Sequence, residues 1–287
     1  MARINGDKKL YTIGEAAKLC DVSRKTLRYY DELGIIVPDK VSEDTGYRYY
    51  SRETLMRLPK VKYYKQMGFK LHEIEDIYGS IDYHEIRFRD KIEELKENIE
   101  KMQNALKSIT DWDQLIQEGC MVYHNHYNQV NVKYLSTETF CYAVLPFYYE
   151  YNDSIMNIEW VKLLESHDCE ISGPVILSFS SYKDKMEGKS TSMTIMQECV
   201  SQKTGQKMPK LVRNSMMVAS TYHVGDFSTC YKAYERIESW AKANGYICGP
   251  ESYERYVIDY WITQDTEKFV VEVQVPLSSV SANNRIR

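Results

Sequence analysis

Basic and aromatic side chains interleave in three short stretches: Arg28-Tyr29-Tyr30, Tyr47-Arg48-Tyr49-Tyr50 and Lys62-Tyr63-Tyr64-Lys65. Cations beside phenol hydroxyls suit a phosphate backbone, because both offer hydrogen-bond donors to its oxygens. Ser23, Arg24 and Lys25 precede the first stretch, where a helix N-terminus would add the positive end of its dipole. Ten of the 25 tyrosines lie in the first 83 residues, and the other fifteen fall between Tyr123 and Tyr260, where they rarely adjoin a base. The two sets therefore serve different surfaces. Charge divides the same way. Residues 1–72 hold 15 Lys/Arg against 9 Asp/Glu, residues 73–133 hold 7 against 13, and residues 134–287 hold 15 against 19. The overall charge of −4 hides a +6 head, which makes nucleic acid a partner to expect there and nowhere else.

Other chemistries find less support. The seven cysteines (20, 120, 141, 169, 199, 230, 248) are never closer than 18 residues. That is neither a metal-ligand spacing nor a disulfide framework, so they read as buried thiols in a reducing cytosol. His124 and His126 share one face of an extended stretch but have no third ligand nearby, and no metal is expected. No glycine-rich phosphate loop and no nucleophile–base pair is evident, so no cofactor and no catalytic residue is expected. No run of about 18 apolar residues and no signal-peptide stretch occurs, which points to a cytoplasmic chain with no membrane partner.

The elements that must position these groups can be read along the chain. Ile13 to Leu19 has one apolar face and forms a short helix. Asp21-Val22-Ser23 is a turn whose serine caps a second helix, Arg24 to Leu33, which Gly34 stops. Pro38 to Tyr50 forms a hairpin turning at Asp44–Gly46, with an aromatic, basic return strand. Helices over Ser51–Met67 and Leu71–Tyr78 meet at Gly68, and Pro59 predicts a kink or a later start in the first of them.

Tyr11-Thr-Ile-Gly-Glu-Ala-Ala, Val22-Ser-Arg-Lys-Thr-Leu-Arg-Tyr-Tyr-Asp-Glu-Leu-Gly-Ile-Ile, Gly46-Tyr-Arg-Tyr-Tyr and Lys65-Gln-Met-Gly-Phe-Lys-Leu-His-Glu-Ile together resemble the winged helix-turn-helix domain of MerR-family transcription regulators. The match runs over residues 11–78. The resemblance implies DNA contacts from Ser23, Arg24, Lys25, Arg28, Tyr29 and Tyr30 on the recognition helix, Tyr47 and Arg48 on the wing, and Lys65 on the helix that follows.

Phe88, Ile92, Leu95, Ile99, Met102, Leu106 and Ile109 keep a 4-3 spacing, and neither Gly nor Pro interrupts Asp82 to Gln117. Such a helix is roughly 54 Å long, more than a small domain can cover. A two-chain coiled coil is expected, giving a homodimer through residues 88–116. The family resemblance implies an antiparallel pair.

Residues 134–276 contain two similar parts 76 residues apart. Ile171-Ser-Gly173-Pro174 answers Ile247-Cys-Gly249-Pro250, and helix Glu159–His167 answers Glu235–Ala243. Each part reads strand, helix, Gly-Pro turn, strand, strand, so an α+β domain with a cleft between its halves is expected. This organisation resembles the GyrI-like effector domain of the multidrug-sensing branch, most of all at Gly249-Pro250-Glu251-Ser252-Tyr253-Glu254-Arg255-Tyr256. The resemblance implies that Glu254 sits on a pocket floor and pairs with cationic compounds. Read from the residues alone, Glu254 is equally a surface carboxylate beside an Arg or Lys. Tyr256, Ile258 and Tyr260 should share its strand face. Tyr142, Tyr149, Tyr182, Tyr222, Phe227 and Tyr231 are the expected walls.

The expected architecture is multi-domain: residues 1–80 a winged helix-turn-helix domain, 81–119 a coiled-coil dimerisation helix and 120–287 a duplicated α+β effector domain. The expected function is a ligand-responsive regulator that binds palindromic promoter DNA and distorts it for RNA polymerase. Its effector would be a lipophilic, cationic small molecule. The alternative is a sequestering or hydrolytic module, with Glu254 and Tyr231 as acid/base groups.

Overall fold

The computed structural model describes residues 9–75, 80–202 and 207–279. The chain divides into two compact units, Met1–Glu100 and Lys101–Arg287.

In the first unit β1 (Leu10–Thr12) leads into α1 (Ile13–Leu19). The Thr12 hydroxyl accepts from Glu15 N at 3.3 Å, and the Glu15 carboxylate accepts from Thr12 N at 2.8 Å. Two otherwise orphaned N–H groups are thereby satisfied. At α2 (Arg24–Glu32) Ser23 Oγ accepts from Thr26 N at 2.9 Å, and Gly34, at φ +74°, turns the chain away. The hairpin of β2 (Lys40–Val41) and β3 (Arg48–Ser51) joins β1 in an antiparallel sheet of order β1-β3-β2. Leu27, Ile36, Tyr50, Leu58 and Val61 are fully buried at the centre. The helix expected over 51–67 is two: α3 (Arg52–Leu55) and α4 (Arg57–Gln66). Pro59 lies in the first turn of α4, where its missing N–H would have had no partner, so the helix starts late instead of kinking. Of the helix expected at Leu71–Tyr78, α5 (Leu71–Glu75) is observed and residues 76–78 lie outside the described residues.

Helix α6 (Ile81–Asn125) runs for 45 residues, past the end expected at Gln117. Its early turns belong to the first unit, where Phe88 packs on Tyr64 and Phe69 and buried Lys91 pairs with Glu73 at 3.3 Å and Glu94 at 2.6 Å. Its later turns belong to the second unit, so the helix expected to form a separate domain over 81–119 is shared between the two units. Gly119 is no boundary. It lies inside the helix, and a Cβ there would come 2.2 Å from Ile258 Cγ1. His124, expected on an extended stretch, lies in the last helical turn with Nδ1 2.7 Å from Cys120 O.

The second unit comprises β4 (Asn131–Leu135), β5 (Glu138–Pro146), α7 (Tyr151–Ile155), α8 (Ile158–Ser166), β6 (Cys169–Phe179), α9 (Tyr182–Met186), β7 (Ser192–Gln202), β8 (Lys210–Arg213), β9 (Met216–Val224), α10 (Tyr231–Asn244), β10 (Tyr246–Cys248), β11 (Ser252–Ile258) and β12 (Val270–Ser279). They build an antiparallel sheet of order β4-β9-β12-β11-β6-β7-β5-β8, with β10 on β12. The duplication is visible in that order: β9-β12-β11 mirrors β5-β7-β6. The halves meet where β6 pairs with β11, Leu177 opposite Glu254. The two Gly-Pro pairs differ. Gly249-Pro250 separates β10 from β11, whereas Gly173, at φ +73°, sits inside the unbroken β6 at a shift of register between Ser172 and Ile176.

Strand alternation sends Glu254 and Tyr256 to the face covered by α8 and α10, and Arg255 to the opposite face. A bulge between Tyr256 and Ile258 resets this phase. Ile258, expected beside Glu254, therefore packs with Val257 against Leu115 and Val122 of α6.

Gly119→Ala should gain about 1 kcal/mol of helix propensity but cost about 1–3 kcal/mol by overpacking against Ile258. Net destabilisation of about 1 kcal/mol is expected in urea denaturation. A more stable variant would contradict the close approach of α6 to β11.

Candidate functional site

The first unit displays a row of cations. Arg24, Lys25 and Arg28 are exposed on α2 together with Tyr29; Tyr47 is exposed at the hairpin and Lys65 on α4. Ser23 spends its hydroxyl on capping α2, and half-buried Tyr30 packs into the core, whose desolvation pushes its hydroxyl pKa up. Arg48 is tied back to α2, Nε donating to Asp31 Oδ2 at 2.7 Å, which fixes the hairpin against the helix. Lys62 does related work that its position in sequence does not reveal. Its Nζ donates to Cys20 O at 2.7 Å and Asp21 O at 3.1 Å, bracing the turn between α1 and α2, where Asp21 has φ +50°. The arrangement is a positive, donor-rich surface on a rigid scaffold.

In the second unit Glu254 is completely buried. Tyr234 donates to its Oε1 at 2.8 Å and Tyr256 to its Oε2 at 2.6 Å, with Cys230 Sγ 3.9 Å from Oε1. Burial, and then the nearby carboxylate, pushes all three pKa values well up, so they stay protonated and donate. The fourth partner is Lys185 of α9, whose Nζ is 3.2 Å from Glu254 Oε1. That ammonium is 5% exposed as a residue and lies 4.8–5.2 Å from the ring centroids of Phe147, Tyr149, Tyr151 and Phe179. Tyr151 OH accepts from it as well. A carboxylate with a cation inside four rings is an aromatic cage.

Among the expected wall residues, Tyr149 and Tyr256 touch this cage directly. Phe227 supports it, its ring 4.9 Å from that of Tyr256, and Tyr182 stacks on Tyr234 at 6.3 Å. Three others stand elsewhere. Tyr142 packs beside Phe140 and Met196 on the other face, Tyr222 donates to Glu118 of α6, and Tyr231 is exposed at the start of α10. Alternation explains Tyr142 and Tyr222, whose strand parity points them away from the cage. The first turn of α10 turns Tyr231 outward and Tyr234 inward. Among the described residues the groups bonded to Glu254 do not include Tyr231, which the alternative acid/base reading pairs with it. The reading missed Lys185, Tyr151, Tyr234, Phe147 and Phe179. Helical spacing was the available signal for Tyr234, whereas nothing in Tyr182-Lys183-Asp184-Lys185 separates the exposed lysine from the buried one.

Arg255, on the opposite face, donates to Glu272 Oε2 at 2.8 Å and to Glu118 of α6. Glu272 also accepts from Lys133, Ser220 and Gln274. Burial opposes its charge, but Arg255 and Lys133 overcome that and hold its carboxyl down at about 2. Adjacent residues of one strand thus serve the cage and the helix.

Between α6, α8 and the sheet lies a cavity of about 340 Å³ lined mainly by apolar groups, among them Trp112, Leu115, Trp160, Tyr256 and Trp261. Tyr256 belongs to both cavity and cage. Asp259 also lines the cavity; burial raises its carboxyl to about 6 against one backbone bond from Trp261 N at 2.9 Å.

Comparison with known proteins assigns both units. The family model "MerR HTH family regulatory protein" matches residues 11–80, and "GyrI-like small molecule binding domain" matches residues 148–278. The mercuric resistance operon regulatory protein of Bacillus cereus is 34% identical over 120 residues, covering 39% of this chain and 90% of that protein. The multidrug-efflux transporter 2 regulator of Bacillus subtilis is 24% identical over 285 residues, 95% of this chain and 98% of that one. Among solved structures, the DNA complex of EcmrR aligns at TM-score 0.45 and 21% identity, covering 94% of this chain and 100% of that chain. Among the described residues no helix is long and apolar enough to cross a membrane.

A carboxyl raised from 3.8 to about 6 by burial disfavours folding where it must ionise. That penalty is absent below about pH 3 and complete above about pH 7. Asp259→Asn should therefore stabilise the protein by up to about 3 kcal/mol at pH 7.5 and leave it unchanged near pH 3. Urea titrations at the two pH values check this; equal gains at both would exclude desolvation as the cause.

Proposed function

The chain belongs to the MerR family of helix-turn-helix transcription regulators and carries a GyrI-like ligand-binding domain, and we propose that its effector is a lipophilic cation that replaces Lys185 beside Glu254. The supporting observation is the cage itself, which already holds an ammonium against a carboxylate within four aromatic rings. A primary ammonium is strongly hydrated, so releasing Lys185 to water recovers much of what burying it cost. A delocalised or quaternary cation has less hydration to lose, which makes the exchange selective for lipophilic cations. The cavity beside Tyr256 would receive the apolar bulk of such a ligand.

The remaining machinery follows from the family. Arg24, Lys25, Arg28 and Tyr29 would enter the major groove on α2, with the β2–β3 hairpin acting as a wing that sets Tyr47 and Arg48 on the phosphates, and Lys65 beside them. Ile92, Leu95, Ile99, Met102, Leu106 and Ile109 form an exposed apolar stripe on α6. A second copy of the chain would cover it as an antiparallel coiled coil, placing two DNA-binding heads on a palindromic promoter. Ligand binding would favour the state that distorts this DNA for RNA polymerase, and its differential affinity for that state sets the size of the response. Binding and release, not turnover, is the proposed chemistry, and a cytoplasmic location suits a protein that must reach promoter DNA.

Lys185→Gln should tighten binding of a lipophilic phosphonium or quaternary ammonium ion while lowering stability by about 3 kcal/mol through the unpaired carboxylate. Glu254→Gln should weaken the same cation and leave a neutral analogue nearly unaffected. Calorimetric titration of both variants decides it, because weaker cation binding by Lys185→Gln would remove the exchange mechanism. Leu106→Glu should give monomers in sedimentation and lose palindrome binding; an intact dimer would eliminate the coiled coil as its interface.

A further inference from the structure

Cys141, Cys169 and Cys199 lie 28 and 30 residues apart in sequence, on β5, β6 and β7. The sheet brings their sulfurs within 4.8 Å of one another. Cys141 Sγ is 3.6 Å from Cys169 Sγ, which is 2.8 Å from Cys199 Sγ. Cys141 and Cys169 are buried and Cys199 packs half-buried against the same core. Three sulfurs bound to a common ion at about 2.3 Å stand about 4 Å apart at most, so shifts of about 1 Å would let the three side chains accept one.

The charge of the surroundings narrows the ion. The three sulfurs pack into the apolar core of the second unit. A divalent ion on three thiolates would leave a net negative charge in an apolar setting, which is costly without a partner. A trivalent ion on three thiolates is neutral.

We propose that Cys141, Cys169 and Cys199 form a three-sulfur site for a trivalent thiophilic ion of the arsenite class. The reaction balances without a redox partner: As(OH)3 plus three thiols gives As(SR)3 plus three waters. Three As–O bonds are exchanged for three As–S bonds, each thiol proton leaves with a hydroxide, and arsenic keeps its oxidation state. Arsenite is a small neutral acid, and Cys169 lines the cavity through which it would arrive. The site also touches the coupling elements. Glu170 accepts from Asn104 of α6 at 3.0 Å, Glu198 pairs with Lys107 at 2.6 Å, and Ser172 donates to Asp111. A bound ion would brace the β6–β7 segment that carries these contacts, making the site a second input to the same helix.

Full-length protein, reduced and handled anaerobically, is titrated with sodium arsenite and read by native mass spectrometry and thiol counting. One arsenic per chain with the loss of three reactive thiols is the expected result. Cys141→Ala, Cys169→Ser and Cys199→Ser should each weaken retention at least about tenfold, the lower bound typical even for outer-shell partners of a bound metal. Cys120→Ser, on the exposed side of α6, should not. Circular dichroism of the half-buried Cys199→Ser variant establishes that its loss is not unfolding. Failure of the parent to retain arsenic, or retention that survives removal of one of the three, overturns the proposal. So does refusal of arsenite with uptake of zinc by the same three cysteines, or a Cys169–Cys199 disulfide that survives treatment with reductant.

Discussion

A β-strand points successive side chains to opposite faces, and β11 applies that rule to adjacent charges of opposite sign. Glu254 goes to the face covered by α8 and α10, and Arg255 goes to the face that meets α6. Neither charge can stay buried alone, since desolvation of an unpaired ion outweighs most single contacts. Each therefore gathers partners: two tyrosines and Lys185 around Glu254, two glutamates around Arg255. Much of the second unit is organised by meeting those two demands.

A ligand response requires a two-state element, and the proposed exchange at the cage would supply one. In the proposed exchange, displacement of Lys185 would undo the ion pair that ties the short helix α9 to Glu254. Tyr256 bonds Glu254 and also lines the cavity against α6, so one side chain touches both cage and cavity. Gly119 lets α6 and β11 approach closely. Without a Cβ, α6 lies directly on Ile258 and Val257, and Glu118 reaches Arg255.

Local features were largely legible in the sequence. The caps at Ser23 and Gly34, the first two helices and the duplicated order of the second unit are set by nearest-neighbour chemistry and periodicity. So was the burial of Glu254 among aromatic groups, through family resemblance. Errors arose where a local rule met a tertiary demand. The helix expected to Gln117 continues to Asn125 through Gly119, a poor helix former held there by its contact with β11. The Gly-Pro pairs looked alike, yet one is absorbed as an irregularity within a continuous strand. Ile258 was assigned by simple alternation, which the bulge resets.

What the sequence determined by itself is the identity of the parts: a basic, aromatic head, a heptad helix and a repeated effector unit. These follow from residue type and spacing within a few turns of chain. Which groups meet was decided by the tertiary structure. Lys185 and Glu254 are 69 positions apart, and the three clustered sulfurs lie on three strands. Their proximity comes from sheet pairing, in which register couples residues remote along the chain and parity selects the face. Composition can name a carboxylate, a lysine and three thiols. Only the fold states that the first two already hold each other and that the last three share one point in space.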